Sequence, residues 1–87
     1  MTIEVRIVNP LGLHARPATA FVDVASTFGS TITVTKDDTS VDGKSIMQLM
    51  LLAASHGSSL KICACGKDAA SACAALKTLV DSGFDEE

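Results

Sequence analysis

Over the first seven residues apolar and polar side chains alternate, Ile3, Val5 and Ile7 against Thr2, Glu4 and Arg6. This period of two predicts a strand with one face on a core and the other in water. Between Ala15 and Phe28 the spacing changes to three and four, with Ala18, Phe21, Val22, Ala25 and Phe28 recurring on one side. That pattern predicts an amphipathic helix stopped by Gly29. "STITVTK" alternates again about Ile32 and Val34, and "KDDTS" predicts a turn into a short strand holding Val41, hence a hairpin. "DGKSIMQLMLLAASHG" returns to helical spacing, with Asp42, Gly43 and Ser45 as start signals and Gly57 as the stop. A fourth strand, "SLKICACG", sets Leu60, Ile62 and Ala64 against Lys61, Cys63 and Cys65. A last helix over Ala69 to Val80 gathers Ala69, Ala72, Cys73, Leu76, Leu79 and Val80 on one face, and the acidic "DEE" end is expected in solvent.

The order βαββαβα, with each element apolar on one side only, predicts an α+β fold of two layers. Such a fold is an open-faced β-sandwich, a largely antiparallel four-stranded sheet with three helices on one face. A chain of 87 residues accommodates one domain, 1–87, with one core. Composition narrows the core: 47% of residues are hydrophobic but only 3% aromatic, with no Trp or Tyr, so Ile, Val, Leu, Met and Ala must fill it. The formal charge of −3 and scattered Lys and Arg argue against nucleic acid as a partner. Nothing approaches the roughly 20 apolar residues that span a bilayer, and the N-terminus lacks the basic start of a signal peptide. A cytoplasmic protein with no membrane partner is expected. The odd number of cysteines, three, favours reduced thiols over a disulfide framework.

The chemistry concentrates in "NPLGLHARPATAF", Asn9 to Phe21. Pro10 and Gly12 mark a turn, and Pro17 suits a first helical turn, where its missing N–H costs nothing. His14 then falls at or beside the N-cap. The backbone N–H groups of Ala15 and Arg16 point outward there, and the helix dipole adds partial positive charge, so the place favours an anion. The helix end and Arg16 are expected to bias the imidazole toward its neutral, nucleophilic form. A neutral ring can attack phosphorus, and the same donors with the Arg16 guanidinium can hold phosphoryl oxygens. On single residues alone, His14 as a simple helix cap and Arg16 as a solvated charge are the plainer reading; the full string tips the balance.

"GLHARPA" resembles the active-site motif of HPr, the histidine-containing phosphocarriers of the bacterial phosphoenolpyruvate-dependent sugar phosphotransferase system. The likeness extends over the chain in length, element order and a second string, "GKSIM", at the second helix. It implies that His14 accepts a phosphoryl group from enzyme I on Nδ1 and passes it to the IIA domains of sugar permeases. It further implies that Arg16 steadies that group and that Ala15 and Pro17 support the helix start. A carrier of this kind turns over no small molecule itself and needs no cofactor.

Ser45 stands where the second helix begins, and a hydroxyl there ordinarily caps the helix. A phosphate would also be tolerated. "SIMQLMLLAA" holds more large apolar residues than one buried face needs. With Leu49, Leu52 and Ala53 inward, Ile46, Met47 and Met50 fall on another side, either as an interaction surface or as part of a core wrapped deeper around the helix. The resemblance implies that Ser45 is the regulatory site of HPr kinase/phosphorylase. It also implies that Ile46, Met47 and Met50 dock enzyme I, the IIA domains and, in some bacteria, a transcriptional regulator. Many relatives carry a small residue where this chain has Gln48.

Cys63 and Cys65 are expected on the outer face of the fourth strand and Cys73 on the inward face of the last helix, which argues against a three-cysteine metal site. His56, beside Gly57, reads as a surface residue. A monomer is expected. Two other readings remain: a regulatory HPr paralogue, of a nitrogen-related branch or of carbon catabolite control, and, more distant, a module binding metal or a redox partner through its thiols.

Overall fold

The computed structural model describes residues 1–85. Its elements are β1 (Thr2–Arg6), α1 (Ala15–Ala25), β2 (Thr31–Lys36), β3 (Thr39–Asp42), α2 (Ile46–Leu51), β4 (Ser59–Cys65) and α3 (Ala69–Asp81), followed by a 3₁₀ turn, Gly83–Asp85. The four strands form one sheet in the order β1-β4-β2-β3, every pair antiparallel. The late strand β4 is thus inserted between β1 and β2. Ile7 extends the pairing past β1, donating to the Ser58 carbonyl at 2.9 Å and accepting from the Gly57 N–H at 2.8 Å.

The register explains the alternation. Ile3 faces Ile62, Val5 faces Leu60, and Ile62 in turn faces Val34, so the apolar rows of all strands fall on one side. The helices close over that side with Phe21, Leu49, Leu76 and Val80, all buried in one continuous apolar cluster. Each such side chain contributes roughly 1.5–3 kcal/mol when taken fully out of water. The other side of the sheet carries Glu4, Arg6, Thr31, Thr33, Thr35, Lys61, Cys63 and Cys65 and meets solvent to varying degrees. The predicted α+β open-faced sandwich is the fold observed.

Three element ends differ from the pattern-based reading. Helix α1 stops at Ala25 rather than Phe28, because the Ser26, Thr27 and Phe28 N–H groups turn back on Val22, Val24 and Ala25 and the Thr27 hydroxyl bonds the Val24 carbonyl. Phe28 still packs against the core. Helix α2 stops at Leu51, far short of Gly57: Leu52 and Ala53 close tightened i→i−3 bonds, and Ala53 enters the left-handed region at φ 50°. With the helical phase lost there, Ala53 is exposed, not inward, and Ala54 is buried in its place. At the C-terminal end Phe84 is buried, with φ 59°, and plugs the core. Asp85 is exposed, and Glu86 and Glu87 lie outside the described residues.

The turn that replaces the end of α1 is fastened by a residue distant in sequence. Asp68, before α3, accepts the Gly29 N–H at 2.9 Å, the Ser30 N–H at 3.0 Å and the Ser30 hydroxyl in a very short contact. The Ser30 hydroxyl, then the Gly29 N–H, hold its carboxyl below the ordinary aspartate value. A folded pKa below the unfolded value of about 3.9 means stability that is present above that pH and lost as pH falls through the folded value. Asp68→Asn is therefore expected to lower the melting temperature at neutral pH and to flatten the loss of stability below about pH 5. Thermal unfolding across a pH series checks this; acid limbs that stay parallel in the two proteins would count against it.

Candidate functional site

The site begins with the turn after β1. Asn9, buried, donates from Nδ2 to the Gly12 carbonyl at 2.7 Å, while the Gly12 N–H returns to the Asn9 carbonyl at 3.2 Å. Gly12 has φ +71°, a conformation natural to glycine. Leu13 then donates to the Ala54 carbonyl at 2.8 Å, tying this turn to the segment after α2. His14 follows as the N-cap of α1, with extended backbone (φ −86°, ψ −170°) and no capping bond from its ring, while its carbonyl accepts the Ala18 N–H at 3.0 Å.

His14 is half-buried, Ala15 and Arg16 are exposed, and Pro17 is buried in the first turn. The ring is thus not spent on capping the helix. The Ala15 and Arg16 N–H groups occupy the first helical positions, which have no intrahelical acceptor, and Pro17 adds no third donor. No acidic residue sits in that first turn to offset the helix dipole. Imidazole, two backbone donors and a guanidinium therefore belong to three consecutive residues at one helix start, a set of groups suited to an oxyanion.

Helix α2 packs beside α1. Ser45 is its N-cap and accepts the Gln48 N–H at 3.3 Å, while Gln48 Oε1 accepts the Asp42 N–H at 2.9 Å. Gln48 thereby locks the turn that presents Ser45. Ile46, Met47 and Met50 are exposed, Met47 by 80%, so of the two sequence-based readings the deeper core is ruled out. Two further exposed apolar residues were missed in the sequence: Leu51, 76% exposed, and Leu11, 77% exposed, on the turn that Leu13 ties to Ala54 after α2. Leu51 adjoins Met50 and follows Met47 by four, a spacing that could have revealed it.

Other residues singled out lie elsewhere. His56 is exposed in the turn before β4, Cys63 and Cys65 occupy the outer row of β4, and Cys73 is buried on α3. Among the described residues no three His, Cys, Asp or Glu side chains gather as a metal site, and no helix is long and apolar enough to cross a membrane.

Comparison with known proteins agrees with this geometry. The family model for the PTS HPr component phosphorylation site matches residues 1–82. Phosphocarrier protein HPr of Neisseria meningitidis serogroup B is 46% identical over 83 residues, covering 95% of this chain and 93% of the relative. Phosphocarrier protein HPr of Pseudomonas aeruginosa is 44% identical over 85 residues, covering 97% and 94%. The crystal structure of HPr-C-His from Thermoanaerobacter tengcongensis superposes with a TM-score of 0.96 at 46% identity, covering 100% of this chain and 98% of that one. Sequence and fold agree along almost the full length, and the chain belongs to the HPr family of phosphocarrier proteins of the bacterial phosphotransferase system.

Proposed function

We propose that residues 1–87 act as one cytoplasmic domain that accepts a phosphoryl group from enzyme I on His14 and passes it to IIA domains of sugar permeases. The observation that carries this reading is the placement of His14 at the N-cap of α1, next to the outward N–H groups of the helix start and two residues from the exposed Arg16. In the first transfer the imidazole Nδ1 forms a bond to phosphorus as the bond to the donor breaks. The Ala15 and Arg16 N–H groups and the guanidinium then balance the charge on the phosphoryl oxygens. The second transfer reverses this toward the acceptor. Both transfers can take place at this helix end without unfolding, because Ala15 and Arg16 are exposed and His14 is half-buried.

The exposed row Ile46, Met47 and Met50, extended by Leu51, is assigned to docking these partners, since adaptable apolar side chains suit more than one of them. Ser45 is assigned as a regulatory site for a kinase/phosphorylase. A phosphate there would add roughly two negative charges next to apolar surface that partners must desolvate. Ser45→Asp is accordingly expected to slow phosphoryl acceptance on the order of tenfold without altering the fold. Stopped transfer assays with enzyme I would check it, and an unchanged rate would sink the assignment.

The function itself is tested by incubating the purified chain with enzyme I and phosphoenolpyruvate. One acid-labile, alkali-stable phosphate per chain is expected, and a second enzyme reaction with a IIA domain should remove it. An acid-stable phosphate, or none, would refute the carrier role.

A further inference from the structure

The open face of the sheet holds a feature that phosphoryl transfer does not use. Cys63 and Cys65 are two residues apart on β4, so strand geometry sends both side chains to the same, solvent side. Neighbouring strands flank them with hydroxyls: Thr2 and Thr33 lie opposite Cys63, and Thr31 lies opposite Cys65. The third thiol, Cys73, is buried in the core and takes no part.

Geometry decides what such a pair can do. Residues two apart on a strand are separated by about 6.7 Å. A disulfide needs Cβ atoms about 3.5–4.5 Å apart, so closing one here would break the β4 ladder, which is held on both sides. A linear S–metal–S bridge is longer, about 4.6 Å between sulfurs for bonds near 2.3 Å, and spans the pair with the strand intact. Zinc is poorly served, because it seeks four ligands and no third His, Cys, Asp or Glu joins the cluster among the described residues. Soft d¹⁰ cations accept two thiolates alone.

From this juxtaposition we infer that Cys63 and Cys65 form a two-coordinate binding site for a soft d¹⁰ cation such as Cu(I), on the sheet face that the helices leave open. Binding deprotonates both thiols and forms two metal–sulfur bonds, so that Cu⁺ and two thiols give a bis-thiolate anion and two protons, with no change of oxidation state. The inference does not depend on His14.

The test is anaerobic titration of the reduced full chain with Cu(I) held by a chromogenic chelator. One Cu(I) per chain should be withdrawn, and Cys63→Ser or Cys65→Ser should each weaken binding at least about a hundredfold, since the second thiolate binds intramolecularly. Cys73→Ala should bind as the parent does. Both serine variants alter only the open face, and circular dichroism verifies that they remain folded. The site is refuted by any of three results: binding unchanged in either serine variant, Zn(II) competing equally with Cu(I), or metal carried only between two chains, seen as a doubled mass by light scattering.

Discussion

Replacing His14 with alanine is expected to abolish phosphoryl acceptance while leaving the fold in place. The loss should be complete, because the reaction consumes the imidazole lone pair and no neighbour in the first turn of α1 offers a substitute nucleophile: Ala15, Arg16, Pro17 and Ala18 follow. The fold should survive because the ring makes no capping bond, so alanine forfeits none of the helix-start stabilisation that a Ser or Asp cap would give. The N-cap backbone bond from Ala18 to the His14 carbonyl needs no side chain. Unfolding by urea should therefore differ from the parent by under about 1 kcal/mol. Labelling with phosphoenolpyruvate and enzyme I reads the first result, and any phosphate retained at the same stoichiometry would place the acceptor elsewhere.

Arg16→Ala provides the graded counterpart. A hydrogen bond from a charged donor contributes about 1.5–3 kcal/mol, so acceptance should slow by roughly tenfold to a hundredfold rather than vanish. The backbone donors of Ala15 and residue 16 persist in that variant, which is why a residual rate is expected.

How much of this was legible in sequence depends on which interactions define each feature. Strands reported themselves, because Val5, Ile62 and Val34 face one core and the period-two pattern follows directly. Helix faces were legible and helix ends were not. Phe28 keeps the spacing of α1 yet lies beyond it, since the chain there is captured by Asp68, a partner nearly forty residues away. The stop of α2 is hidden because Ala53, not a glycine, takes the left-handed backbone. Phe84 lies beyond the last helical repeat, and only the 3₁₀ turn directs it inward. At the candidate site, "GLHARPA" made the helix start at His14 legible because the motif is contiguous and its turn and proline act locally. Leu11 was hidden because exposure is a property of the assembled surface, whereas Leu51 keeps the helical spacing from Met47 that could have revealed it.

The least conspicuous residue of that motif should have the second largest effect. Gly12 looks like ordinary turn punctuation, but a Cβ added to it would lie 2.4 Å from the Ala54 carbonyl oxygen and 2.8 Å from Ser55 Cα, both backbone atoms that cannot rotate aside. Its φ of +71° costs any other residue about 1–2 kcal/mol by itself. Relief of the clash must separate the turn from the segment after α2, breaking the Leu13 to Ala54 hydrogen bond, worth about 0.5–1.5 kcal/mol. Gly12→Ala is thus expected to destabilise the chain on the order of 3 kcal/mol. Gly29→Ala, where an added Cβ meets nothing within 4 Å, is the control and should fall within about 0.5 kcal/mol of the parent. The functional consequence follows from connectivity, since the His14 N–H bonds the Gly12 carbonyl at 3.0 Å and a displaced turn displaces the N-cap. A shift near 1 Å can cost about a hundredfold in transfer, so the rate per folded molecule should fall well beyond the loss of stability. Measuring that rate under conditions where the variant remains folded separates the two effects: a parental rate would mean that Gly12 serves only the fold and does not position His14.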